Sequence, residues 1–175
     1  MTYLNIILLF FITLQPLEAC RLWAICAKAD FTFSTMSPYE RQELEIQLSE
    51  FYTQSKTMQN GWSLLCYSDV STDDVEPLYR SPTPASNDSL LYWSTVESLI
   101  NFDQGRIGIG HLRLATSGTT QIPNPHPWIF QYSGKAYSLI HNGTVDKNLV
   151  LDLITENGVN QSWLEDYPPQ TFGAG

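Results

Sequence analysis

Charged side chains are scarce in this sequence. They make up 15% of its 175 residues, against roughly 25% in an average soluble protein. Nine Lys and Arg stand against eighteen Asp and Glu, for a formal net charge of −9, and the lack of a basic stripe excludes an ordinary nucleic-acid-binding surface. Three cysteines are too few for a dense disulfide framework. Hydrophobic residues reach 43%, enough to bury the core of one domain, so intrinsic disorder is excluded for most of the chain.

A long hydrophobic run is also lacking. The apolar run from Leu4 to Leu14 is much shorter than the about 20 residues that a membrane-spanning helix needs. It has the length of a signal-peptide core, and Ala19 is small enough to precede the cleavage point. We therefore expect a signal peptide over residues 1–19, no membrane span, and a secreted or periplasmic mature protein that begins at Cys20. The alternative is a buried N-terminal helix of the domain.

A cysteine at the start of a mature chain has two known uses. Leu17 to Cys20 resembles the lipoprotein box of bacterial envelopes, which favours a lipid-anchored, non-catalytic binding protein. The other use is catalysis, because the reference pKa is about 8.5 for a thiol and about 7.7–8.0 for an α-amine. The amine can then accept the proton of the thiol near neutral pH, and one residue supplies nucleophile and base. A lipid on Cys20 would block both groups.

Hydrophobic periodicity predicts one domain that mixes strands and helices without internal repeats. Strands are predicted at residues 20–27, 62–67, 106–115 and 135–140, and helices from Pro38, over 89–102 and over about 146–157. Ser37 and Glu40 have the spacing of a capping box, and Leu44, Leu48 and Phe51 fall on one helix face. Residues 75–88 and 121–130 are predicted to be loops because Pro, Ser and Asp interrupt them.

Polar groups at two predicted strands are candidates for chemistry. Strict alternation places His111 and Arg113 on the same face of their strand, and a buried guanidinium needs a carboxylate partner. That partner is either an acid of the chain or the carboxylate of a substrate. Asn142-Gly143 either forms a hairpin turn or offers two N–H groups to an oxyanion.

A metal site and a disulfide are judged from the histidines and cysteines. Neither the three His nor the three Cys have zinc-site spacing, so no metal and no cofactor is predicted. Cys26 and Cys66 lie on predicted strands, and they either pair in an exported protein or stay as buried free thiols.

Six segments of the chain carry a family resemblance, in the family's own order. They are Cys20-Arg21-Leu22; Asn60-Gly61-Trp62-Ser63 with Tyr67; Tyr79-Arg80-Ser81-Pro82 with Ala85; Gly110-His111-Leu112-Arg113-Leu114-Ala115-Thr116-Ser117-Gly118; Asn124-Pro125-His126-Pro127-Trp128; and His141-Asn142-Gly143. Together they resemble the class II glutamine amidotransferases, which are N-terminal-nucleophile (Ntn) hydrolases. Ser63 stands where this family usually has Gly.

The resemblance implies an α+β fold, a four-layered αββα Ntn-hydrolase sandwich, over residues 20–175. It also implies hydrolysis of a glutamine or γ-glutamyl amide, a small-molecule substrate, through a thioester on Cys20. By the same resemblance Asn142 and Gly143 would hold the oxyanion. The substrate-binding residues would be Arg113, Thr116 and His141, and the pocket-shaping residues His111 and His126.

Two points stay open at the level of sequence. The family has a downstream Asp that binds the substrate's α-amino group, and no such motif precedes Gly175, so we expect the domain to be C-terminally incomplete. Another N-terminal-Cys amide hydrolase remains an alternative, although Arg113 favours a substrate that carries a carboxylate.

Overall fold

The computed structural model describes residues 19–68, 77–102, 104–115, 125–143 and 145–159. These ranges form two antiparallel sheets and three α-helices, a mixed α+β architecture. Three parts of the chain that matter below lie outside the described residues. They are residues 1–18 of the predicted signal peptide, the candidate Thr116, and residues 160–175.

The larger sheet has four strands. They are β1 (Arg21–Cys26), β2 (Trp62–Ser68), β3 (Pro77–Ser81) and β4 (Gly105–Leu112), in the order β1-β4-β2-β3. The smaller sheet is a hairpin of β5 (Trp128–Tyr132) and β6 (Lys135–Leu139). The helices are α1 (Pro38–Gln54), α2 (Ser89–Ile100) and α3 (Lys147–Ile154). The larger sheet therefore brings the start of β1 beside the end of β4 and the start of β2.

Helix α1 begins where its local signals predict. The Ser37 hydroxyl accepts a hydrogen bond from the Glu40 N–H at 3.3 Å, and the Glu40 carboxylate accepts one from the Ser37 N–H at 2.8 Å. This reciprocal capping satisfies two N–H groups that a helix N-terminus otherwise leaves unpaired. The strands predicted around β1, β2, β4 and β6 and the other two helices are also confirmed, with ends that differ by a few residues.

The two faces of the larger sheet have different roles. Trp62, Leu64 and Leu112 point toward α1 and α2 and join the single hydrophobic core of the described residues. Because side chains alternate along a strand, Ser63 and His111 lie on the opposite face. Both are fully buried although polar. The face away from the helices therefore includes fully buried polar side chains.

The prediction of loops at residues 75–88 and 121–130 is wrong in part, because each range contains strand residues. Residues 77–81 form β3, which pairs with β2 although it contains Pro77, Ser81 and the charged Arg80. Trp128–Tyr132 forms β5, so only the Pro125–Pro127 part of the predicted loop remains non-strand among the described residues. In both places pairing with a neighbouring strand overrides the local turn signals.

All three cysteines are free. Cys26 pairs with Ile107 and Cys66 with Gly108, on opposite sides of β4. Two strand spacings of about 4.8 Å separate them, which is more than the roughly 7 Å between Cα atoms that a disulfide allows. The pairing alternative is therefore wrong, and Cys26 is exposed rather than buried.

Candidate functional site

Cys20 lies immediately before β1 and is buried, with 4% of its surface exposed. Its sulfur accepts a hydrogen bond from the Leu114 N–H at 3.4 Å and donates one to the Leu114 carbonyl at 3.6 Å. Arg21 pairs with Leu112 in the β1–β4 ladder, so Cys20 comes opposite Arg113. The first residue of the proposed mature chain is thus fixed at the end of β4.

Arg113 is buried just beyond β4. The backbone N–H of Arg113 donates a hydrogen bond to the Gly61 carbonyl at 2.9 Å. Its backbone carbonyl accepts one from the Asn60 backbone N–H at 3.0 Å. The Asn60 side chain also accepts from the Ala115 N–H at 2.8 Å. The Asn60-Gly61 turn therefore extends the ladder and holds residues 113–115 next to Cys20. Burial lowers the pKa of Arg113, and the nearby Cys20 opposes that shift.

Two buried histidine rings, His111 and His126, stack on each other near Arg113. The rings of His111 and His126 are stacked, with centroids 3.7 Å apart and planes inclined by 11°. Trp128 packs on His126 at 4.2 Å between centroids. Burial lowers the pKa of His111 to about 2, with the charges of His126 and Arg113 adding to the effect. Burial lowers the pKa of His126 to about 3, with His141 and Arg113 as further causes. Both rings are therefore neutral at pH 7.

The segment His141 to Gly143 adds a third imidazole. His141 is half-buried, and its charge acts on both His111 and His126. Gly143 has φ +147°, and a Cβ there would lie 3.4 Å from His141 Nε2. Both ring nitrogens of His126 and Nδ1 of His141 are buried, and none of the three has a hydrogen-bond partner within the described part of the chain.

The structure brings together five of the eight predicted site residues: Cys20, His111, Arg113, His126 and His141. The other three are not joined to them. Asn142 and Gly143 are exposed, and none of the hydrogen bonds between described residues links either of them to Cys20. Thr116 lies outside the described ranges. The oxyanion donors thus stay a prediction from the sequence resemblance.

Sequence reasoning missed two residues that hold this region together. The Ser63 hydroxyl donates to the His126 carbonyl, and Arg80 Nη2 donates to the Pro127 carbonyl. The available signal for Ser63 was its departure from the family's usual Gly. Arg80 lay in a segment predicted to be a loop, so nothing placed it in a sheet.

Metal and membrane features are not found in the described ranges. Within them, no group of three or more His, Cys, Asp or Glu residues could hold a metal ion. None of the helices described is both long enough and apolar enough to cross a bilayer.

Comparisons with known proteins give partial similarity. No family model and no solved structure matches the chain. Over 111 residues, 61% of this chain, it is 27% identical to an uncharacterized protein of Methanocaldococcus jannaschii. Over 58 residues, 33% of the chain, it is 33% identical to an amidophosphoribosyltransferase of Methanothermobacter thermautotrophicus. These matches span only 28% and 12% of the lengths of those two proteins.

Proposed function

We propose that the mature protein is an Ntn-type amidohydrolase that hydrolyses glutamine or a γ-glutamyl amide through a thioester on Cys20. The observation that carries this proposal is the burial of Cys20 beside Arg113, where the start of β1 meets the end of β4. A thiol and a guanidinium, the two groups that this reaction needs, then lie near each other. The partial similarity to an amidophosphoribosyltransferase supports the same chemistry.

The reaction needs only groups of the chain, the substrate and water. The α-amine of Cys20 takes the thiol proton, and the thiolate attacks the side-chain amide carbon of the substrate. The C–N bond breaks, the proton passes to the leaving nitrogen, and ammonia or an amine departs. Water then attacks the thioester, giving a free γ-carboxylate and restoring the thiol. Arg113 holds the substrate's α-carboxylate, and Asn142 and Gly143 stabilise the oxyanion.

Cleavage before Cys20 is part of the proposal. While Ala19 is attached, the nitrogen of Cys20 is an amide and cannot act as a base. A signal peptidase that cuts between Ala19 and Cys20 would expose the amine and deliver the enzyme outside the cytoplasm. A free small γ-glutamyl compound suits that location as substrate.

The four-layered αββα sandwich is likewise a proposal. It is supported by the packing of α1 and α2 on one face of the larger sheet and by the polar groups on the other. The β5–β6 hairpin is linked to that second face through His126 and Pro127. A two-stranded sheet is marginal alone, which suits a second sheet layer.

The decisive experiment measures glutamate release from glutamine by protein that begins at Cys20. We expect activity in this form and none in Cys20→Ala or in protein with one residue left ahead of Cys20. The matched control is Cys26→Ala, because Cys26 is an exposed thiol at the other end of β1. Wild-type turnover in either Cys20 form would refute the proposal. So would a diacylglycerol adduct on Cys20 in the intact mass, which would favour the lipid-anchored alternative.

A further inference from the structure

A row of three polar side chains crosses the larger sheet beside the Pro125–Pro127 segment. His111 of β4 pairs with Ser63 of β2, and Ser63 pairs with Arg80 of β3. Paired residues on neighbouring antiparallel strands lie side by side on one face, at the strand spacing of about 4.8 Å. The sheet thus presents a ring, a hydroxyl and a guanidinium in line.

Each member of this row contacts the Pro125–Pro127 segment. The His111 ring stacks on the ring of His126. Ser63 donates to the carbonyl of His126, and Arg80 donates to the carbonyl of Pro127. The row therefore contacts both the ring and the backbone of the segment that carries His126.

Gly61 allows the same segment to come close to the sheet. It has φ +117°, and a Cβ at this position would lie 2.6 Å from Pro125 Cγ and still closer to the Ser81 carbonyl. No side chain other than hydrogen fits there. The segment is therefore held by contacts from two places, the Asn60-Gly61 turn and the row of side chains on three strands.

From this arrangement we infer that Ser63 and Arg80 are positioning residues, which keep His126 stacked on His111 and so shape the site that binds the substrate beside Arg113. The inference rests on the proposed function for its effect on catalysis. Its structural part, the placement of the His126 ring, stands on the row alone. His141, Arg113 and Arg80 all act electrostatically on His126, so a shift of this ring changes the surroundings of all three.

The inference requires a hydroxyl at position 63 to hold the His126 carbonyl. Loss of the Ser63 donor would leave the buried His126 carbonyl without that bond, a costly situation inside a protein. The segment would then move to find water, taking the ring out of its buried stack. Threonine keeps the hydroxyl, whereas alanine and glycine do not.

The test compares Ser63→Ala and Ser63→Thr with Ser55→Ala as matched control. Ser55 is also fully buried, and its hydroxyl accepts one hydrogen bond, from the Ser86 N–H at 2.8 Å, away from the row. One readout is the NMR titration of the His126 Cε1–H signal between about pH 5 and pH 8, a range in which the wild-type ring stays neutral. The other is KM and kcat for glutamine, measured on protein that begins at Cys20.

We expect Ser63→Ala to raise the pKa of His126 toward its ordinary value and to raise KM about tenfold, which corresponds to about 1.4 kcal/mol. The value of kcat should change less than about twofold, and Ser63→Thr should restore both readouts. Ser55→Ala should lower the unfolding midpoint and leave both readouts as in the wild type. If Ser63→Ala does not fold, Arg80→Lys, which keeps the charge that acts on His126 but loses the Nη2 donor to Pro127, must shift the His126 titration in the same direction.

Two results would overturn the inference. One is a His126 titration and a KM in Ser63→Ala that match the wild type. The other is an equal change in Ser55→Ala, which would mean that loss of stability alone is responsible. A wild-type protein without glutaminase activity would instead refute the proposed function, and the His126 titration would then decide the positioning by itself.

Discussion

The imidazole rings of His111 and His126 lie face to face, 3.7 Å apart between centroids and inclined by only 11°. Both are buried, with at most 1% of their surface exposed. Two protonated rings cannot share such a place, because each charge would lose its water and repel the other. The stack therefore exists only in its neutral form, and this makes its stability depend on pH.

We predict that the protein loses stability in mild acid because of this stack. The pKa is about 2 for His111 and about 3 for His126 in the folded state, against the usual 6.5. At pH values between the folded-state pKa values and 6.5, the unfolded chain binds more protons than the folded protein. The free energy of unfolding therefore falls as the pH drops below about 6.5. Each ring contributes a slope of up to about 1.4 kcal/mol per pH unit. Urea denaturation at about pH 7 and pH 5 measures the effect.

The double variant His111→Phe/His126→Phe keeps two stacked aromatic rings and removes their titration. Its stability should change much less between the two pH values than that of the wild type. An equal change in both proteins would show that other groups cause the acid sensitivity.

Replacing Gly61 with alanine should destabilise the protein by about 2 kcal/mol or more. The added Cβ combines a backbone strained at φ +117° with a clash against Pro125 and the Ser81 carbonyl. Gly134→Ala is the matched control, since Gly134 has φ +71° and no atom within 4 Å of the added Cβ. It should cost only the backbone strain, about 1 to 2 kcal/mol. Equal unfolding midpoints for the two variants would contradict the close approach of Pro125 to Gly61.

Local signals predicted some elements well. The capping box of Ser37 and Glu40 and the Leu44–Leu48–Phe51 face fixed α1, because everything that starts this helix lies within a few residues. Strand β3 was missed because its stability comes from pairing with β2, and no residue within it reports that partner. Strand β5 was missed for the same reason, as it pairs with β6 directly after Pro127.

In the candidate site, too, some residues could be identified from local signals and others depend on distant strand pairing. Cys20, Arg113 and the histidines could be chosen from the sequence because their chemistry or their motif marks them. Ser63 and Arg80 could not be assigned their role, because their contact with the His126 segment depends on the register of three strands. Register joins residues far apart in the chain, and the departure of Ser63 from the family's Gly does not say which residue its hydroxyl contacts.

The three thiols should differ sharply in reactivity. Cys26 is exposed, whereas Cys66 is buried and its pKa is raised by burial to about 12, so iodoacetamide should modify Cys26 and spare Cys66 in the folded protein. A glutamine-like electrophile should instead modify Cys20 in protein that begins there, because binding through Arg113 directs it. Peptide mass mapping distinguishes the three sites. Labelling of Cys66 before unfolding, or of Cys26 by the glutamine-like reagent, would contradict this order.

Arg113→Lys should weaken glutamine binding while leaving the nucleophile in place. Lysine keeps the charge but loses the planar pair of donors that matches a carboxylate, so KM should rise about 10- to 100-fold, or about 1.4 to 2.7 kcal/mol. Arg41→Lys is the control, because Arg41 is a partly exposed arginine of α1 that pairs with Glu45 and Glu97, and it should leave KM unchanged. With a glutamine derivative whose α-carboxylate is masked as an amide, wild type and Arg113→Lys should have similar KM. A large difference with that masked substrate would mean that Arg113 supports the fold rather than the substrate carboxylate.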